Sequence, residues 1–226
     1  MSHEYRVRIE NTKGTCTKYE YNKDTDSLDL DRMIQSSSAY RFDYGYIEDT
    51  LGGDGDPLDA IVLCSEILVP NCVVLCRPIG MLDTEDEKGR DEKIIMVPVT
   101  KVDPKFRDVV SINQKIICEE KPFIKHFFER YKENEPGKEC IVKDFHEGEE
   151  VIKTIDQGIK DHEEEKKMHQ MHLEKLRSED EKEKTIALKK HIYDAVDEEI
   201  ANKLDSLVDM ITDRVISKLT DLKVHS

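Results

Sequence analysis

Apolar positions in this chain follow two different periods. Tyr5 to Glu10, Thr15 to Tyr21, Ala60 to Leu63, Cys72 to Leu82 and Lys93 to Val99 are short runs rich in Val, Ile, Tyr and Leu, punctuated by Gly, Asn, Asp or Pro. That is the pattern of strands joined by turns. Between Lys121 and Lys132 the period changes, and Ile124, Phe127, Phe128 and Tyr131 fall on one face of a helix. Pro122 suits the first turn of that helix, and Pro136-Gly137 closes the unit. Cys140 to Phe145 reads as one more short strand. From Gly148 onward there is no proline, and the pattern is helical. Residues 161–190 are almost wholly polar, which predicts a solvated helix or a poorly ordered linker. Tyr193, Val196, Ile200, Leu204, Leu207, Ile211, Val215, Leu219 and Leu222 then recur at steps of three or four. They predict one continuous apolar stripe on a helix of about eight turns. Such a helix projects from a small domain unless it folds back. Its stripe is expected to be covered by the parent domain or, the favoured reading, by the same helix of another subunit.

These patterns predict a mainly β fold over residues 1–155, a small barrel or curled sheet with helices packed on it, followed by a helical extension over 156–226. Composition agrees with the division. Of 226 residues, 38% are charged and 37% apolar, more charge than an average compact domain carries. The net charge of −15 comes with no dense basic stripe, so nucleic acid and anionic membranes are not expected partners. An acidic enzyme can still handle phosphate, because carboxylates loaded with cations become locally positive. No apolar run is long enough to span a bilayer, and the polar start Met1-Ser2-His3-Glu4-Tyr5-Arg6 lacks a signal-peptide core. A cytoplasmic protein is expected. The six cysteines are scattered without Cys-x-x-Cys spacing, so buried, reduced thiols are expected rather than disulfides or zinc. His162, His169 and His172 share a helical face. With no Cys and no apolar surround, they read as part of a solvated helix rather than as a metal site.

The candidate chemistry centres on Asp54-Gly55-Asp56-Pro57-Leu58-Asp59. Three carboxylates within six residues, on a chain made to turn by Gly52, Gly53, Gly55 and Pro57, repel one another unless cations sit between them. All-oxygen ligands suit Mg²⁺, Mn²⁺ or Ca²⁺. An EF-hand is ruled out, because its required positions are filled by Leu58, Asp59 and Ser65. A second acidic group, Asp86, Glu87 and Asp91 beside Lys93, lies between two predicted strands. If those strands pair, it forms a turn near the barrel mouth. Lys18 and Glu20 alternate across Tyr19 and share a strand face. Arg32 ends an Asp-Leu-Asp-Arg run, Tyr40 and Tyr44 flank a predicted turn before Gly45, and Tyr131-Lys132 and Lys138 follow the helix. Together these supply cations and phenols for two phosphoryl groups, beside carboxylates for metals.

In this order the motifs resemble those of the family I soluble inorganic pyrophosphatases. The likeness covers residues 4 to about 146. It runs through Ile9-Glu10, Lys18-Tyr19-Glu20, Asp31-Arg32, Tyr44-Gly45-Tyr46-Ile47, the 54–59 cluster, Arg77-Pro78-Ile79-Gly80, Asp86 with Asp91 and Lys93, and His126-Phe127-Phe128 with Tyr131-Lys132. The resemblance implies an OB-like five-stranded β-barrel with flanking helices. It also implies hydrolysis of pyrophosphate to two orthophosphates by a metal-activated water, without a covalent intermediate. Several Mg²⁺ ions are implied, with Mn²⁺ as a substitute, and a homo-oligomer. By position, Asp54, Asp59 and Asp91 would hold activating metals, and Asp86 and Glu10 would help bind further ones. Asp56 would be the general base. Lys18, Arg32, Tyr44, Lys93, Tyr131 and Lys132 would bind the phosphates, with Glu20 in the network around them. Two departures stand out: Tyr40-Arg41-Phe42-Asp43 where the family has Tyr-Pro-x-Asn, and Glu139 after Lys138 where a Trp is usual. With the long tail, they motivate the alternative of a non-catalytic scaffold or phosphate-binding protein. Broader phosphoanhydride substrates are a third reading.

Overall fold

Strand β1 (Tyr5–Asn11) has Val7 and Ile9 fully buried, and it pairs antiparallel on one edge with β4 (Asp43–Ile47). The computed structural model describes residues 3–36, 38–87, 89–194 and 198–224, without side chains at 194, 198–199, 201–202 and 219–224. From β4 the sheet continues to β5 (Asp59–Val62), then to β8 (Lys93–Pro98) and then to β6 (Val73–Asp86). Strand β6 also pairs with β1, so these five strands close a ring. The ring is not a regular barrel: β5 and β8 run parallel, and every other neighbouring pair is antiparallel. The long end of β6 extends past the ring to pair with the two-residue β7 (Gly89–Arg90) and with β9 (Cys140–His146). A hairpin of β2 (Thr17–Asn22) and β3 (Ser27–Met33) forms a separate two-stranded sheet.

Both faces of the ring are buried. Along β8, Ile94 and Met96 join one apolar cluster and Ile95 and Val97 join the other, so the period of two becomes a continuous apolar run in sequence. One cluster is aromatic: Tyr40, Phe42 and Tyr44 pack on Phe127, Phe128 and Tyr131, with ring centroids 4.6–6.4 Å apart. Phe127 and Phe128 come from α2 (Lys121–Arg130), which follows the single turn α1 (Lys115–Cys118), and Tyr131 caps α2. The other cluster takes in Val151 and Ile155 from the start of α3 (Glu149–Asp194). Each fully buried aliphatic side chain contributes about 1.5–3 kcal/mol, so both clusters hold the ring shut.

Several expectations change. Asp43–Ile47, where no strand was expected, is a wholly buried strand that begins inside the turn expected between Tyr40 and Tyr44, with bends remaining at Arg41 and Phe42. Gly45 is needed there for proximity, because a Cβ at this position would lie 1.8 Å from the Arg8 carbonyl oxygen on β1. Ser27–Met33, half exposed outside the ring, had too little apolar content to stand out as a strand. Residues 161–190 are helix, within α3. The single long helix expected to follow is two elements, with α3 ending at Asp194 and α4 (Glu198–Val224) following. Val196 and the side chains of Leu219 and Leu222 lie outside the described residues.

The chain divides into two compact units, 1–166 and 167–226. In the second unit α4 runs back along α3: Lys189 pairs with Asp209, and Tyr193 with Asp205. Tyr193, Ile200, Leu207, Ile211 and Val215 of the predicted stripe remain exposed there. All six cysteines are free. Cys76 is buried, but Cys16 and Cys118 are exposed, against the expectation of burial. His162 leaves the solvated set as well: its side chain is 14% exposed, with Nε2 3.5 Å from Asp49 Oδ1. Among the described residues no helix is long and apolar enough to cross a membrane.

Candidate active site

The acidic cluster sits on the connection between β4 and β5, and the base of that loop is tightly held. Thr50, fully buried, donates its hydroxyl to the Ile47 carbonyl and accepts the Leu58 amide, at 2.7 and 3.0 Å. Ile47 N–H in turn reaches the Leu58 carbonyl at 2.9 Å. Within the loop, the Asp56 amide donates to Asp54 Oδ1 at 3.1 Å and Gly52 N–H donates to the Asp56 carbonyl at 2.6 Å. Helix α3 braces it from behind: the Leu51 amide donates to the Gly158 carbonyl at 2.9 Å, and a Cβ at Gly158 would meet Leu58 Cδ1 at 2.8 Å. Leu58 is thus the buried foot, and Asp54, Asp56 and Asp59 are carried above it.

The other predicted residues converge on the same place. Glu10, Lys18, Glu20, Arg32, Tyr44, Asp54, Asp56, Asp59, Asp86, Asp91, Lys93, Tyr131 and Lys132 all line one cavity of about 660 Å³. Asp31 and Glu87, to which no role was assigned from the sequence, line it too. Asp31 arrives by a β-bulge. Lys18 pairs with Arg32 and Tyr19 with Leu30, so Asp31 is the extra residue. A bulge turns two consecutive side chains away from strict alternation, and here Asp31 and Arg32 both face the cavity. Only the pairing partner reveals such a bulge.

Carboxylates and cations alternate across the cavity. Lys93, 2% exposed, bridges Asp59 and Asp91. Burial alone would lower its pKa, but the two carboxylates more than reverse that and keep the ammonium charged. Burial lifts Asp91 above the usual carboxylate range, opposed by Lys93 and reinforced by Asp59 and Asp86. Lys132 Nζ lies 3.0 Å from Asp86 and 3.3 Å from Glu87. Lys18 meets Glu20, and Asp31 at 3.5 Å. Arg32 meets Asp31, and Glu135 at 2.9 Å. Glu10 accepts the Tyr21 amide at 2.7 Å, yet burial still pushes its carboxyl up to about 8. Burial among these acids also holds the Tyr44 and Tyr131 phenols well above their ordinary pKa, so both remain donors.

The donor set is all oxygen, which fits a hard divalent cation. Among the described residues no three His, Cys, Asp or Glu side chains converge as a ready ligand shell. Among the described residues the carboxylates pair instead with Lys18, Lys93, Lys132 and Arg32. Paired acids kept from collapsing by a positive charge are what a metal-loading site requires.

Known proteins place this geometry. The family model described as inorganic pyrophosphatase matches residues 7–163. An inorganic pyrophosphatase of Nanoarchaeum equitans is 47% identical over 67% of this chain and 95% of its own length. One of Aquifex pyrophilus is 44% identical over 69% and 88%. The solved inorganic pyrophosphatase of Helicobacter pylori superposes with a TM-score of 0.67 at 39% identity, covering 71% of this chain and 94% of that one. With its ring closed, its acidic loop braced and its sequence matched over this span, the chain belongs to the inorganic pyrophosphatase family.

Proposed function

We propose that this chain hydrolyses inorganic pyrophosphate to two orthophosphates, using several divalent cations, Mg²⁺ foremost and Mn²⁺ in its place. The supporting observation is the single cavity in which paired carboxylates alternate with buried or half-buried cations. Asp54, Asp59 and Asp91 would hold activating cations, with Asp86 and Glu10 taking part in further ones. Such ions, when bound, lower the pKa of a water and screen the charge of the substrate. Asp56, exposed at the tip of the braced loop, is assigned to take the proton of the attacking water. Lys18, Arg32, Lys93 and Lys132 neutralise the phosphoryl oxygens, and the Tyr44 and Tyr131 phenols donate hydrogen bonds to them. Glu20 holds Lys18 on its strand face. The paired cations and carboxylates are already held by one another, so little reorganisation of these groups is needed during the reaction. Phosphate release from pyrophosphate in Mg²⁺ tests the assignment. The wild-type chain is expected to turn over, and Asp56→Asn to lose at least about 100-fold in kcat. A silent wild type refutes the activity, and a fully active Asp56→Asn refutes the base.

The chain is further proposed to act in the cytoplasm as a homo-oligomer, with the 156–226 extension taking part in assembly. The half-exposed Ile200, Leu207, Ile211 and Val215 support a second copy as the partner of α4. Sedimentation of the full chain should show a smaller species for Leu207→Glu/Ile211→Glu, and an unchanged mass defeats this role.

A further inference from the structure

Glu135 lies outside the cavity, yet two cations that line the cavity converge on it. It is buried, 9% exposed, in the turn that follows α2. Its Oε1 accepts Arg32 Nε–H at 2.9 Å from 103 residues away, and its Oε2 lies 3.6 Å from Lys138 Nζ. Arg32 and Lys138 both line the cavity, and Glu135 does not. The turn itself is stiff. Glu135 N–H donates to the Lys132 carbonyl at 2.9 Å, and Lys138 N–H donates to the Glu135 carbonyl at 3.2 Å. One carboxylate therefore ties together Arg32 from β3 and Lys138, and its own backbone bonds to that of Lys132.

The placement of β3 makes this bond consequential. The β2–β3 hairpin belongs to no part of the ring, so no sheet ladder fixes its distance from the metal-binding acids. Its β2 edge is tied to β1 by side chains: Asn11 bonds both the amide and the carbonyl of Tyr19, and Glu10 accepts from Tyr21. Near its β3 edge, Arg32 bonds Glu135, and Asn134 Nδ2 donates to the Gln35 carbonyl at 2.7 Å. Glu135 takes Arg32 Nε and Asp31 takes Nη1. Among the described residues Nη2 has no protein acceptor. A planar guanidinium held on its Nε side can present its remaining edge in one orientation only.

We infer that Glu135 is a positioning residue: it clamps the hairpin through Arg32 and sets that guanidinium for a phosphoryl group. The inference rests on the proposed pyrophosphatase reading for its substrate class, since it needs a phosphoryl ligand in the cavity. Glu135→Ala removes one of the two ties near the β3 edge and leaves Arg32 with one carboxylate. A misplacement of about 1 Å costs up to about 100-fold in rate, so kcat/KM for pyrophosphate is expected to fall 10- to 100-fold. Glu135→Gln keeps an acceptor for Nε–H, and is expected to stay within about threefold of wild type.

The deciding measurement is non-additivity. Kinetics are compared for wild type, Glu135→Ala, Glu135→Gln, Arg32→Ala and the double variant Arg32→Ala/Glu135→Ala, with thermal unfolding as a folding control. If Glu135 acts through Arg32, the double variant is within about threefold of Arg32→Ala. A full additional loss in the double variant, or wild-type kinetics for Glu135→Ala, overturns the inference. A wild type that hydrolyses nothing refutes the pyrophosphatase reading instead. Calorimetric titration with inorganic phosphate in Mg²⁺ then decides the clamp: weaker binding by Glu135→Ala but not by Glu135→Gln supports it, and equal binding by all three forms overturns it.

Discussion

Replacing Lys93 with methionine isolates the electrostatic logic of the cavity. The ammonium is 2% exposed and bridges Asp59 and Asp91, themselves only 28% and 17% exposed. Methionine fills a similar volume and leaves the two carboxylates facing each other. At a separation of about 5 Å and an effective dielectric constant of about 20, their repulsion is roughly 3 kcal/mol. Breaking a buried pair by removing one partner costs about 3–5 kcal/mol. Lys93→Met is therefore expected to lose roughly 3–5 kcal/mol at pH 7 in the presence of a chelator, a fall in Tm on the order of 10 °C. Two conditions should restore stability. A divalent cation can stand where the ammonium stood, so Mg²⁺ should raise the variant's Tm more than that of wild type. Acid should also help. The folded pKa of Asp91 already lies above its unfolded value, so protonation favours the folded state, and loss of Lys93 raises that pKa further. The deficit should shrink as pH falls from 7 toward the unfolded value of about 4. Urea unfolding with chelator and with Mg²⁺, at pH 5 and pH 7, checks all three. A deficit below about 1 kcal/mol in chelator, or equal Mg²⁺ stabilisation of both proteins, refutes the reasoning. Activity alone would not, since losing a phosphate cation lowers turnover on any account.

Two other perturbations follow from single residues. Burial holds Glu10 up at about 8 against an ordinary 4.5, so the folded state binds the proton more tightly and stability in chelator falls as pH rises across that window. Glu10→Gln should remove much of that slope and be the more stable protein at pH 8 by about 2–4 kcal/mol; parallel urea midpoints at pH 5 and 8 would contradict this. In Gly45→Ala the new Cβ meets only backbone, 1.8 Å from the Arg8 oxygen and 2.9 Å from Ile9 Cα, so β1 and β4 must part. A loss above about 4 kcal/mol is expected, against less than about 1 kcal/mol for Gly53→Ala, where a Cβ meets nothing within 4 Å. Circular dichroism melts of the two variants compare them directly.

What the sequence showed of this fold depended on where each element buries its side chains. β8 and the ring portion of β6 are apolar because both faces are covered, and their runs stand out. The α2 stripe was visible because Ile124, Phe127 and Phe128 all turn to one cluster. β4 was hidden because its middle residue is a glycine, required by a neighbour in space, and a glycine inside a five-residue run weakens the strand pattern. The acidic half of the site was legible as clusters in sequence, and its scattered cations and phenols, from Lys18 to Lys132, only through the order of motifs shared with the family. Glu135 was invisible for the opposite reason: its partner is 103 residues away, and a lone glutamate after a helix normally means solvent.

The topology explains why two acidic segments more than twenty residues apart make one site. Asp54, Asp56 and Asp59 precede or open β5, and Asp86 and Asp91 precede β8. Strands β5 and β8 are the ring's one parallel pair, with Asp59 directly beside Lys93 in the register. Parallel strands start at the same rim, so whatever enters them is delivered to the same place. Had the pair been antiparallel, like every other contact in the ring, the two acidic segments would sit at opposite ends, each a mere solvated turn. The antiparallel pairing of β4 with β5 then brings Tyr46 beside Asp59, with Tyr44 two residues along the same strand. The bulge in the β2–β3 hairpin turns Asp31 and Arg32 toward the same cavity. One parallel pairing within a closed ring is therefore enough to convert two sequence motifs into a single electrostatic unit. It also accounts for Lys93, the first residue of β8, being the cation that both segments share.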